Sequence, residues 1–287
     1  MNTRLACLLL VILLGWTCAV QATIVDPTWL KNQLGHDNLL VIDVREPEEF
    51  LAGHILGSAN LPPMSLFAEH FLLPPLSELQ GLLGAVGIDH QRPVLVVGNQ
   101  DFIWAARLYW ILEFLGHQQV YFLDTAWGHW EPGLLPISQE PQPPTARQFI
   151  PRIDERRLAT KLSVLAAIGY QPILDGRTEA HYLGLESGGA RRAGHIPTAQ
   201  HFPWTQNREE VEGIYRLRDL SSMASVYEGL PKDQNIILYC TGSAQAAVNY
   251  VVLQALGYQV AVYEGSWSEW GNDLSLPKVN PSRQPPH

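Results

Sequence analysis

The sequence predicts an α/β protein of two tandem domains, each a mainly parallel central sheet flanked by helices. Three observations predict it. Short apolar runs alternate with stretches of helical periodicity throughout the chain. Four landmarks of the first half recur in the same order in the second. Between the two copies proline becomes dense, at Pro132, Pro136, Pro141, Pro143, Pro144 and Pro151, which marks a semi-extended linker.

The elements follow in order. Asp26-Pro27-Thr28 reads as the capped start of a short helix, with proline where a missing N–H costs nothing. Residues 39–45 form a buried strand ending in Asp43 and Arg45. Residues 46–50 open a short helix, and Gly53-His54-Ile55 turns into another extended piece. Helical periodicity returns over residues 76–83. A second buried strand spans 94–98, a helix over 105–115 is closed by Gly116, and a third strand covers 120–124. The second copy repeats the pattern. Residues 172–177 echo 40–45, Gly194-His195-Ile196 echoes Gly53-His54-Ile55, 236–257 echo 94–116, and 260–270 echo 120–130. The expected boundaries are a first domain over 23–138, a linker over 139–152, a second domain over 153–279 and a disordered tail over 280–287.

Residues 1–22 have the pattern of a secretory signal. Arg4 supplies positive charge, residues 5–14 are apolar, and Val20-Gln21-Ala22 suits a signal peptidase. The apolar run is shorter than the roughly 20 residues of a membrane span, so cleavage after Ala22 and export, most simply to a periplasm, are expected, with an uncleaved anchor as the alternative. No membrane association is expected after cleavage. The net charge of −9 and the lack of a Lys/Arg cluster argue against nucleic-acid binding. Apolar residues make up 46% of the 287 and charged residues 16%, a globular composition.

Of three cysteines, Cys7 and Cys18 fall in the signal, which leaves Cys240 alone in the mature chain. A lone cysteine cannot staple its own fold; it is either a buried structural residue or a reactive one. Its context favours reactivity. An apolar strand delivers Cys240 to a loop of small residues, Thr241, Gly242, Ser243, Ala244 and Gln245, followed by a helix closed by Gly257. Backbone N–H groups and the dipole at such a helix start favour an anion, so a lowered thiol pKa is expected. The hydroxyls of Thr241 and Ser243 have two readings, as further donors to sulfur or as helix caps. At the equivalent place the first half has Gly98-Asn99-Gln100-Asp101, without a thiol. Neither a cofactor nor a metal is expected, since no His/Cys/Asp cluster has ligand spacing. The oligomeric state is not legible.

The two Asp-x-Arg pairs (Asp43/Arg45, Asp175/Arg177), the paired Gly-His-Ile turns, the strand–cysteine–loop–helix and the closing run 263–270 together resemble the rhodanese family. The resemblance spans the mature chain and implies two tandem rhodanese-like domains in a sulfurtransferase of the thiosulfate or 3-mercaptopyruvate type. It implies a catalytic second domain framed by a non-catalytic first one. Cys240 would take a sulfane sulfur from a small donor as a persulfide and pass it to a thiol or cyanide. The loop residues 241–245 with Arg177 and His181 would bind substrate; for Arg177 the alternative is a local ion pair with Asp175 that fixes the strand end. His181 stands where tandem enzymes of the family place a second arginine, and the loop itself carries no basic residue. Asp175, His195 and Trp267 are expected to be structural, because their counterparts recur in the half without a thiol. Ile103 and Trp104 are expected to form an apolar wall of the pocket. A binding or sulfur-carrier module with little turnover is the second class of function. A phosphatase or arsenate reductase would need a longer loop closed by an arginine, where Gln245 and Ala246 stand.

Overall fold

The computed structural model describes residues 23–35 and 38–283. The expected signal at 1–22 and the last four residues of the tail lie outside them. The first half contains β1 (Ile24–Val25), α1 (Pro27–Gln33), β2 (Leu40–Asp43), α2 (Pro47–Ala52), β3 (His54–Ile55), β4 (Ala59–Asn60), α3 (Leu76–Ala85), β5 (Val94–Val97), α4 (Ile103–Phe114), β6 (Val120–Leu123) and β7 (Ile137–Ser138). The second contains β8 (Leu158–Ala159), α5 (Lys161–Ala167), β9 (Ile173–Asp175), α6 (Glu179–Leu183), β10 (Gln200–His201), β11 (Arg208–Val211), β12 (Ile214–Leu217), α7 (Leu220–Val226), β13 (Asn235–Tyr239), α8 (Ala244–Ala255), β14 (Gln259–Tyr263) and α9 (Ser266–Trp270).

Each half builds a five-stranded, wholly parallel sheet, in the orders β1-β6-β5-β2-β4 and β10-β9-β13-β14-β8. Read from opposite ends, these are the same order. Equivalent registers agree: Asp43 pairs with Val97, and Asp175 with Tyr239. Central strands such as Val94–Val97 are buried at every residue, as expected of parallel strands with helices on both faces.

The halves are not separate cores. Helix α4 packs along α8, and both contribute to one apolar cluster that continues into both sheets. Their sequences explain this, since neither has a polar face. Near the far end of the pair the Tyr250 hydroxyl donates to Glu113 Oε2 at 2.7 Å, Arg157 donates to the same oxygen at 2.7 Å, and Trp110 donates to the Arg157 carbonyl at 2.9 Å.

The linker lies against the first half. Arg147 N donates to Gly84 O and Arg152 N to Leu115 O, both at 2.8 Å, and Phe149 is buried. Gly84 permits this approach, because a Cβ there would come within 2.5 Å of the Arg147 carbonyl. The expectation of a disordered tail is corrected for residues 280–283. Val279 forms an antiparallel bridge with His195, Pro281–Arg283 make a 3-10 turn, and Ser282 Oγ donates to Gly184 O at 3.0 Å. This is the counterpart of β7 returning to pair with β3 in the first half, so the segment has a partner waiting for it. Among the described residues no helix is long and apolar enough to cross a membrane.

Candidate active site

Strand β13 ends at Tyr239 and hands Cys240 to the N-terminus of α8. The backbone N–H groups of Gly242, Gln245 and Ala246 point at the sulfur. Two residues make the turn that aims them. Ser243 adopts a left-handed conformation (φ 64°) before the helix begins. Ser266 Oγ accepts from Cys240 N at 3.2 Å and from Ser243 N at 3.1 Å, and donates to Tyr263 O at 2.8 Å. From outside, α9 ties the loop down: Trp267 N donates to Cys240 O and Ser268 N to Thr241 O, each at 2.9 Å. The thiol-free loop of the first half keeps the same form, with Phe102 left-handed (φ 58°) at the start of α4.

The residues expected to be structural form a frame beneath this loop. Arg177 donates to Asp175 Oδ2 at 2.6 Å and to Gly194 O at 2.7 Å, and stacks over Trp267 at 4.4 Å. Tyr239 donates to the same Asp175 oxygen at 2.6 Å. His195 Nδ1 lies 2.7 Å from Tyr182 O, its ring stacked on Tyr182. The first half repeats the frame except for the tyrosine, whose place Val97 takes: Arg45 with Asp43 and Gly53 O at 2.6 and 2.7 Å, stacked over Trp127, and His54 on Phe50. Arg177 is 0% exposed and paired with Asp175, so of its two readings the ion pair stands and the contact with a donor is corrected. Its Asp-facing edge is occupied and it does not line the cleft.

The cleft beside the loop has a volume of about 660 Å³ and is lined by His70, Phe71, Leu72, Gly188, Thr241, Ser268 and neighbouring residues of α9. Thr241 therefore does meet it. His181 sits behind the Gly188 rim, its Nδ1 2.8 Å from Thr178 Oγ1 and its Nε2 3.5 Å from Glu186 Oε2. Ile103 and Trp104 do not wall the cleft; they pack against the shared core, Trp104 edge-on to Phe67. The wall comes instead from a strap of the first half, residues 68–73. Its turn is closed by Ala68 N donating to Leu72 O at 2.7 Å, with His70 and Phe71 both left-handed (φ 60° and 62°). Phe71 covers Gly242, and Leu73 N donates to Glu264 Oε1. Under this cover Cys240 is only 1% exposed.

A second contribution crosses from the first half. Arg107, in the middle of α4, is 0% exposed. Its Nη1 donates to Ser243 Oγ, and its Nε and Nη2 donate to Leu66 O at 3.2 and 3.0 Å. Ser243 Oγ in turn donates to Gly242 O at 2.7 Å. The Ser243 hydroxyl thus neither caps the helix nor faces the sulfur, as both earlier readings had it. Ser266 and Glu264 enter the sequence reading only as part of the closing run 263–270, without a role, and Arg107 and Phe71 lie outside every motif. The signal for Arg107 is a lone cation inside the apolar run 103–112.

The expected lowering of the thiol pKa is also corrected. Burial pushes the Cys240 thiol above its ordinary value, against the opposing pull of the N–H groups of Ala246, Gly242 and Gln245. Burial likewise raises Glu264, while Leu73 N and the Arg107 charge pull it down. Arg107 is brought down to about 10 by burial, held there against the attraction of Glu264 and Cys240. Among the described residues no group of three His, Cys, Asp or Glu side chains could hold a metal ion.

A family model described as a rhodanese-like domain matches residues 26–132 and again residues 159–273. Among known proteins, a thiosulfate sulfurtransferase of Pseudomonas aeruginosa is 27% identical over 263 residues, which cover 88% of this chain and 96% of that protein. A sulfur carrier protein of Thermus thermophilus is 28% identical over 274 residues, covering 88% and 95%. Among solved structures, an anaerobic ergothioneine biosynthesis enzyme from Chlorobium limicola, in complex with trimethyl histidine, superposes with a TM-score of 0.81 at 19% identity. That match covers 90% of this chain and 70% of the other, and it bears on the fold.

Proposed function

The chain belongs to the rhodanese family as a tandem of two rhodanese-like domains, and on that premise we propose that it is a sulfurtransferase working through Cys240. The observation that carries this reading is the sulfur itself, held at the start of α8 against three inward-turned N–H groups beside a cleft. Such a cradle serves a thiolate and a persulfide alike, and needs no reorganisation between them. The Cys240 thiolate attacks the sulfane sulfur of thiosulfate, the sulfur–sulfur bond of the donor breaks, and sulfite leaves with the electron pair. A thiol or cyanide acceptor then attacks the outer sulfur of the persulfide, and Cys240 leaves as thiolate. With 3-mercaptopyruvate the thiolate attacks the donor sulfur, the carbon–sulfur bond breaks with its electron pair going to the enolate of pyruvate, and the enolate takes up the proton lost from the donor thiol; the acceptor step is the same. The two relatives named for thiosulfate sulfur transfer and for sulfur carriage support a donor and an acceptor of this kind.

Intact-mass measurement after incubation with thiosulfate or 3-mercaptopyruvate tests the reading. A gain of one sulfur atom is expected in the wild type and none in Cys240→Ser; an unchanged mass with both donors would overturn it. A sulfur-carrier role is the second reading, favoured by the enclosure of the thiol at 1% exposure. It predicts the same mass gain without repeated turnover to cyanide or a small thiol. Export belongs to the proposal through the signal-like residues 1–22. A periplasmic product beginning at Thr23 is expected on N-terminal sequencing, and a product retaining Met1 would remove that part.

A further inference from the structure

The Cys240 loop is neutral, yet sulfur transfer requires it to hold negative charge as thiolate and again as persulfide. Backbone N–H groups supply hydrogen bonds but no net charge. Arg107 reaches the same loop from the other half. A guanidinium with 0% exposure normally has a hydrogen-bonded carboxylate to offset its desolvation. Among the described residues, Arg107 donates hydrogen bonds to a carbonyl, Leu66 O, and to a hydroxyl, Ser243 Oγ. Its carbon lies 3.7 Å from the centre of the Phe67 ring. The nearby carboxyl, Glu264, hydrogen-bonds the strap at Leu73 N instead. A buried cation is thus placed one hydroxyl away from the thiol loop without an anion bonded to it.

The duplication supplies a control. Arg107 is the fifth residue after the left-handed Phe102 that starts α4; the fifth after the left-handed Ser243 is Val248. The cation is present in the half that lacks a thiol and absent from the half that has one. It serves the loop across the interface, not its own.

We propose that Arg107 is a positioning residue for Cys240: through Ser243 it fixes the turn that aims the N–H groups, and its charge balances the thiolate and the persulfide. The persulfide part rests on the sulfur-transfer reading; the thiolate part does not. Arg107 and Cys240 are close enough for their charges to interact, and the other charges at the site are Glu264, which faces Arg107, and Asp175, which acts on Cys240 but is paired with Arg177. Removing Arg107 leaves the burial of the sulfur less compensated, so ionisation moves to higher pH. Neutralising Glu264 removes an opposing negative charge and moves it to lower pH.

The test is the rate of Cys240 alkylation by iodoacetamide as a function of pH, in the full chain without any sulfur donor. Arg107→Met is expected to move the midpoint up by about one pH unit, a loss of about tenfold in rate at a fixed pH below both midpoints. Arg107→Lys is expected to restore most of that shift, and Glu264→Gln to move the midpoint down. A change in access alone would alter the plateau at high pH and leave the midpoint in place. An unmoved midpoint in folded Arg107→Met overturns the proposal. Should that variant not fold, an unmoved midpoint in Glu264→Gln does so. If alkylation shifts as expected while no donor adds sulfur, the sulfur-transfer reading fails and the charge assignment stands. If sulfur adds and the midpoint stays, the reverse holds.

Discussion

At the scale of single residues, Arg177 illustrates how a recognisable motif divides between chemistry and construction. Its bidentate pairing with Asp175, its bond to Gly194 O and its stacking on Trp267 are repeated around Arg45, in the half whose equivalent loop has no thiol. Both pairs are almost fully enclosed. Losing one partner strands a buried charge, at a cost of about 3–5 kcal/mol. Arg177→Met and Arg45→Met are therefore expected to lower the urea midpoint by similar amounts, measured by circular dichroism. A stable Arg177→Met with a raised KM for donor would instead make it a substrate contact. The motif was legible because two charged residues at a strand end interrupt an apolar pattern. Its role was legible only as two alternatives, an ion pair or a donor contact, because Asp-x-Arg reads the same whether it faces a cleft or a sheet edge. For Cys240 the strand, loop and helix were equally legible, while the sign of its pKa shift was not. Burial sets that sign, and the burying groups come from distant sequence.

At the scale of elements, the strap over residues 68–73 lies over the Cys240 loop, with Phe71 against Gly242. It was invisible in the sequence because it has neither helical nor strand periodicity and is shaped by two left-handed non-glycine residues, a conformation without a reliable sequence mark. Its fit on the loop is tight. A Cβ added at Gly242 would lie 3.0 Å from Phe71 Cβ, so Gly242→Ala must push the strap outward. The expected result is faster alkylation of Cys240 at the high-pH plateau. Phe71→Ala should do the same by removing the ring, and in Phe71→Gly, which also removes the Cβ that Gly242→Ala would meet, adding Gly242→Ala should give little more. A plateau rate for Gly242→Ala equal to the wild type would show that the strap does not limit access.

At the scale of the molecule, the four repeated landmarks made the duplication legible, and the two matching sheet orders follow from it. The fusion of the halves was written more faintly, in two helices without a polar face, whose apolar surfaces must cover each other. Because α4 and α8 share one core, thermal or urea unfolding is expected as a single transition, coincident by tryptophan fluorescence and circular dichroism. Leu108→Ala should lower it by about 2–5 kcal/mol as a whole, without releasing one half first. Two separated transitions would show that the halves hold together only loosely. The pairing of α4 with α8 also has a bearing on where the chain can be cut. The boundary drawn by the repeat runs through the linker, but the boundary drawn by the chemistry encloses Arg107, the strap and Cys240 together. A chain cut down to the second copy would keep the sulfur but lose both Arg107 and the strap.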